Sequence, residues 1–425
     1  MLSKFRPLVI GDCIAIAAIL TTTVLLDKSA TRRSAQTIAE AATYIDDLQS
    51  VESNQTVTQL DDLLVEMGIG ITGEAAQGDS GGNDNFELVK SLQDYFGDEI
   101  LLLAAQATAA PPELVGSYLL EKGESLERVK DLLLAMPAPV WGFDVEAVQD
   151  IDYAFLSHQN TLAIHQLLLT QAIEHWQRGE EQAAQGYLQA AWKIHDGMVA
   201  GPFVLDQLLG YAMGKSQLMV ARFMPFLEAS GQLELETPDY FEKVHASFVL
   251  DDWLFSNNLL KRLESNVSFA GDLWSNEGAV IPVFSAMPIM RWALSERAQK
   301  AQENFERVPQ YWRCKVNDMP IVEMSAWNPF NLLYSFSKTS YNRAAATMLS
   351  AELNGLVAEA QQHFADTNSW PDTLDNLESA VCEGEYWRYE KSSDGITISY
   401  DGEELWHHAD GVAGITLVYR EKAAN

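Results

Sequence analysis

Eight histidines and several adjacent carboxylates are the side chains of this 425-residue chain that could do acid–base or metal chemistry. His158 and His165 stand seven apart, close to two helical turns, so one helix face can carry both, whereas His165 and His175 align less well. A metal site would need a third, acidic ligand beside them. The sequence places none there, so the pair reads as ordinary surface or core residues. His407 and His408 are neighbours on an expected strand, point to opposite faces and do not act together. Asp61-Asp62 and Asp251-Asp252 lie beside helical apolar stripes and read as solvated faces. Trp176, Trp192, Trp253 and Trp292 have faces on which sugars can stack, but each falls within an amphipathic helix, where core packing is the default. Asn54 ("NQT") and Asn266 ("NVS") fit a glycosylation pattern that has meaning only in a eukaryotic secretory protein.

The sequence contains no Gly-rich phosphate loop and no HExxH, and its one GxSxG string, Gly78 to Gly82, lies in a small polar stretch and not on a strand-to-helix elbow. Nucleotide, common esterase and zinc-protease chemistry therefore lack their signatures. No CxxC and no Cys/His cluster points to structural zinc. The reading assigns no catalytic residue, cofactor-binding residue or metal ligand, and leans away from an enzyme. Cys13 lies in an apolar segment, which leaves Cys314 and Cys382 as the possible pair. They form either a disulfide in an oxidising compartment or two separately buried thiols. A bridge requires their Cα atoms within about 7 Å.

A formal charge of −32 repels phosphate backbones and anionic lipid headgroups, which argues against nucleic-acid binding. The simplest account of that acidity is solubility or a salty medium; a cationic or basic partner is the alternative. With 47% hydrophobic residues and 11 tryptophans, the chain is not a solvated tail and has apolar material for two or three domains.

The elements that would carry these residues begin with "LVIGDCIAIAAILTTTVLL", from Leu8 to Leu26, apolar except for Asp12. As a helix it spans roughly 30 Å, the thickness of a bilayer's hydrocarbon layer. A cleaved signal peptide has a shorter apolar region and small residues before the cut. The segment is therefore expected to remain as a single-pass membrane anchor, with the bilayer as the partner of residues 8–26. Asp12, in the first turns after Pro7, sits where a helix N-terminus favours an anion. Lys4 and Arg6 before the segment and Lys28, Arg32 and Arg33 after it give almost no positive-inside bias. The habit of short N-terminal anchors puts the bulk of the chain on the extracytoplasmic side.

Beyond the anchor the sequence predicts a mainly α protein. A stalk helix carries Ile38, Ala41, Ile45 and Leu48 on a narrow seam, and "GEAAQGDSGGNDN" (Gly73 to Asn85) reads as a flexible loop. Helical patterns then follow one another, joined at Pro111-Pro112, Pro137, Pro139, Gly201-Pro202 and Pro238. The stretch "LLLTQAIEHWQRGEEQAAQGYLQAAW" looks like one tetratricopeptide unit. Leu168 and Ala172 fall in its first helix, Gly179 at its turn, and Ala184, Leu188 and Ala191 in its second. His175 replaces the motif's usual Tyr and Asp196 its closing Pro, and no second copy follows at that period. A helical hairpin is expected, and a peptide-binding array is not.

Leu353, Leu356, Val357, Ala360 and Phe364 share one helical face, and Pro371 ends that helix. "EYWRYEK", "ITISY", "ELWHH" and "GITLVYR" then alternate at period two, with Asp394-Gly395, Asp401-Gly402 and Asp410-Gly411 between them. These are hairpin signals for a small antiparallel meander. The expected divisions are tail and anchor (1–28), stalk helices (29–72), loop (73–85), helical domain (86–327) and helix plus meander (328–425).

"NPFNLL" (Asn328 to Leu333), the helix after it, "SWPDTLDNL" and "YWRYEKSSDGITISYDGEEL" resemble the ends of uncharacterised bacterial envelope proteins with one anchor and a helical middle. That ending is similar to a pseudopilin head, although here the membrane segment and the helix lie at opposite ends of the chain. The resemblance covers about the last quarter of the sequence and carries no catalytic residue. It implies a membrane-anchored envelope protein with a non-enzymatic role, contacting or scaffolding another protein. An envelope hydrolase with a site assembled from distant residues, or an accessory part of a secretion or pilus-type system, are the alternatives.

Overall fold

A computed structural model describes residues 50–72, 84–96, 110–144, 147–149, 156–224, 238–265, 283–311, 313–323, 325, 328, 336–392, 395–400 and 418–422, with residues 28, 29, 32, 35 and 36. The expected anchor lies outside them, as does the stalk seam of Ile38, Ala41, Ile45 and Leu48, whereas residues 50–72 of the expected stalk are described. Among the described residues no helix is long and apolar enough to cross a membrane. The described chain is mainly helical, with a small antiparallel sheet near its C-terminus.

The helices are α1 (Gln55–Glu66), α2 (Asp84–Asp94), α3 (Glu113–Ala135), α4 (His158–Gln177), α5 (Glu181–Val199), α6 (Val204–Phe223), α7 (Tyr240–Ser265), α8 (Val283–Phe305) and α9 (Phe336–Thr367). Asn54 opens α1: its side-chain oxygen accepts from Val57 N at 3.2 Å, and its nitrogen donates to Ala138 O at 2.8 Å. The cap thus uses both ends of the amide that a glycan would need. Helix α3 begins directly after Pro111-Pro112, one of the expected joins.

The expected hairpin is present. Helices α4 and α5 meet across Gly179, whose φ of +74° favours glycine, and Leu168, Ala172, Ala184, Leu188 and Ala191 are fully buried. Helix α4 is covered all round: from Thr161 to Ile173 every residue but Leu162 is buried. A helix apolar and buried on all sides is a core helix and presents no peptide groove.

Two large hydrophobic cores adjoin. One runs from α1 to α6 and holds Leu60, Leu92, Leu126, Ile164, Leu188 and Met213. The second runs from Val199 at the end of α5 to Ile398, and holds Tyr240, Tyr341, Leu353, Trp387 and Ile396. It crosses the division expected at 327/328. Helix α6 contributes Met213 to the first core and Tyr211 to the second. It is pinned to α9 by Arg222, which donates to Ser350 O at 3.0 Å, and by Asn354 Nδ2, which donates to Leu218 O at 3.0 Å.

Asn368, at φ 54°, caps the end of α9, and its N–H donates to Phe364 O at 2.7 Å. The chain then turns at Trp370-Pro371 into β1 (Trp387–Ser392), β2 (Gly395–Tyr400) and β3 (Val418–Lys422), in antiparallel order β1-β2-β3. The Asp394-Gly395 signal falls at the β1–β2 hairpin, where Ser392 pairs with Gly395. The strand expected at "ELWHH", with His407 and His408, lies outside the described residues, as do Asn266 and Cys13.

Candidate functional site

Helices α7 and α8 diverge to leave a cleft of about 150 Å³. From α7 it is lined by His245, Val249 and Asp252, one face at spacings of four and three. From α8 come Ala298, Gln302 and Phe305, and Glu306 and Pro309 just beyond it close the end. His245 Nδ1 lies 2.9 Å from the hydroxyl of Tyr341, a fully buried residue of α9. Burial holds the imidazole below its ordinary pKa and so favours its neutral form.

Asp251 and Asp252, expected on a solvated face, instead lie between helices. The reason is that α7 packs against α6, α8 and α9, which encloses its polar face. Asp252 Oδ1 meets Arg297 Nη1 of α8 at 2.6 Å, with the Asp252 side chain 15% exposed. Burial pushes its pKa up to about 6 even against that guanidinium. Asp251 Oδ2 accepts from Val204 N, at the first turn of α6, at 3.2 Å. Burial raises its pKa to about 7; the Val204 N–H opposes the rise, and Asp206 and Asp252 add to it. Asp206 is itself buried: Oδ2 accepts from Phe203 N at 3.1 Å, and Oδ1 lies 2.9 Å from His158 Nε2. Separate polar contacts therefore join α4 to α6 (His158–Asp206), α6 to α7 (Val204 N–H to Asp251) and α7 to α8 (Asp252–Arg297). Asp61 is also structural rather than solvated, accepting from Ile71 N at 2.7 Å and Thr72 N at 3.2 Å.

His158 and His165 share α4 but do different work. His165 is fully buried, 3.1 Å from Gln217 Oε1. Burial and the nearby His195 push its pKa down to about 3. His195 lies between Asp196 Oδ1, 3.2 Å from Nδ1, and the Tyr240 hydroxyl, 2.5 Å from Nε2. The order Asp–His–Tyr resembles a nucleophile relay, but His195 and Tyr240 have no exposed surface. Burial pushes the Tyr240 hydroxyl well above its ordinary pKa and the His195 imidazole below its own. A nucleophile must be ionisable and reachable, so this network is a packing device. Among the described residues no group of three or more His, Cys, Asp or Glu side chains could hold a metal. Trp192 and Trp253 are buried and offer no face to a sugar.

Cys314 and Cys382 are joined as a disulfide, with Cα atoms 5.4 Å apart. It links the 3₁₀ turn Arg313–Asp318, packed on α9, to the segment before β1. Beside it Glu352 of α9 accepts from Ser379 Oγ at 2.7 Å, Val381 N at 2.8 Å and Trp387 Nε1 at 3.1 Å. Periodicity put Glu352 next to a buried face but gave no sign of this triple anchor. Arg297 and Asp206 were likewise missed, since each partner pair is separated by some 40 residues or more of chain. Set against known proteins, the chain matches no family model, no curated protein and no solved structure.

Proposed function

We propose that this chain is a membrane-tethered envelope protein whose helical body holds or contacts another protein, with the bulk of the chain on the extracytoplasmic side. The observation that carries the reading is the surface of α1 to α3. Val65, Phe86, Leu114 and Leu134 are exposed there, and Leu120 keeps 90% of its surface in solvent. Single exposed apolar residues are common, and a contiguous patch of them marks a contact surface; we take Leu120, the most exposed of the five, as the centre of such a surface. The buried carboxylates and histidines, by contrast, are largely engaged with partners inside the body. The tether rests on the apolar run from Leu8 to Leu26. The compartment rests on the Cys314–Cys382 bridge, because disulfides persist outside the reducing cytosol.

The test is affinity purification of the full-length chain from detergent, beside a Phe86→Glu, Leu120→Glu double variant of equal expression and thermal stability. The reading expects a stoichiometric partner with the wild type that is lost with the variant. Identical co-purifying proteins for both would overturn it.

The cleft favours a second reading, an envelope hydrolase in which neutral His245 activates water. Turnover of generic ester or glycoside substrates that disappears in His245→Ala would support it. Activity that survives the substitution would remove it. The accessory secretion role draws less support, because Trp387, Ile396 and Ile398 of the pilin-like end are buried in the core shared with α9.

A further inference from the structure

At the junction of α6 and α7 three carboxylates converge on few counter-charges. Asp206 is occupied by Phe203 N–H and His158, and Asp252 by Arg297. Asp251 lies between them, and among the described residues its one hydrogen-bond donor is Val204 N–H. The neighbours on the chain, Phe203, Leu250, Trp253 and Leu254, form a small apolar core with Val148. The facing groups are accounted for element by element. Helix α6 brings Asp206, α4 brings His158 through Asp206, and α8 brings Arg297 through Asp252. The Ala147–Gln149 turn carries no charge of its own and brings Asp144, whose Oδ1 accepts from Ala147 N at 3.4 Å. Helix α9 brings Tyr341, whose hydroxyl lies 2.9 Å from His245 Nδ1 and whose ring centroid lies 5.7 Å from that of Phe248, under one turn before Asp251.

We infer that the α6–α7 junction is a proton-operated latch, closed while Asp251 is protonated and loosened when it ionises. A neutral carboxyl accepts the Val204 N–H without a charge penalty. Its ionised form stands beside two carboxylates whose partners, His158 and Arg297, are already engaged, at the edge of an apolar core. Because Asp251 is only partly covered, protons can reach it. The raised pKa of about 7 sets the direction. Between the ordinary carboxylate value and about 7 the closed junction binds the proton and the opened one does not. Closure is therefore complete at acidic pH and weakens as pH rises through about 7.

The experiment is hydrogen exchange of the full-length protein in detergent, followed by mass spectrometry, at several pH values from about 5 to about 8 and corrected for intrinsic exchange. Peptides covering the first turn of α6 and the middle of α7 should open on the order of tenfold more for each pH unit between about 5 and 7, then level off. Peptides of the α4–α5 hairpin should not follow that rise. In Asp251→Asn, which keeps the shape and cannot ionise, the α6 profile should become flat. A wild-type α6 profile without the rise, or the same rise in Asp251→Asn, would overturn the latch. Should the variant fail to fold, the contrast between α6 and the hairpin within the wild type decides the matter.

Discussion

Burial holds the imidazoles of His165, His195 and His245 below their ordinary pKa. His165 has no exposed surface, and its pKa is pushed down to about 3. In the unfolded chain it titrates near 6.5, so between those values the unfolded state binds the extra proton. Its contribution to stability is complete above about 6.5 and is lost as pH falls towards 3, opposite in sign to Asp251. We predict that the wild type loses stability, on the order of a few kcal/mol, over that interval. His165→Gln should lose less, as urea unfolding followed by circular dichroism would show. Equal acid sensitivity of the two proteins would mean that His165 is not the group responsible. The sequence placed His158 and His165 on one helix but did not reveal that α4 is enclosed. Helix periodicity reports which residues share a face, not how many neighbours cover the helix. Asp251-Asp252 was misread for the same reason: paired acids look solvated until a helix with an arginine is placed against them.

At the scale of elements, the hairpin, the long C-terminal helix and the antiparallel strands could all be read from spacing. Each depends on local signals: small residues at a turn, a Pro after a helix, Asp-Gly between alternating runs. The long-range fastenings could not be read so. Glu352 contacts residues 27 to 35 positions away, and no periodicity marks which exposed-looking glutamate will find a turn to cap. Two changes should separate the fastenings of the C-terminal module. Replacing Cys314 and Cys382 by Ser removes a link across 68 residues and should cost about 4 kcal/mol in chemical denaturation. Glu352→Ala leaves Ser379, Val381 N–H and the Trp387 indole without their acceptor, and should cost about 1–3 kcal/mol. In the serine variant the Trp387 fluorescence maximum should stay blue-shifted, because Glu352 and the second core still hold the sheet. A red shift to an exposed-tryptophan spectrum would show that the disulfide alone keeps the module docked.

Over the whole molecule, the two cores meet along α5 and α6, and the C-terminal sheet belongs to the second of them. A body fastened in this way is suited to presenting a fixed surface, and its exposed apolar side chains on α1 to α3 are where a partner would gain most from contact. The strong negative charge favours a partner or contact rim carrying basic groups. The most direct measurement is photo-crosslinking in living cells, with a photoreactive amino acid placed at Leu120 or, as the control, at the exposed polar Gln362 of α9. The account predicts a discrete adduct of one additional mass from position 120 that is absent from position 362. No adduct from position 120, or the same diffuse adducts from both positions, would contradict it.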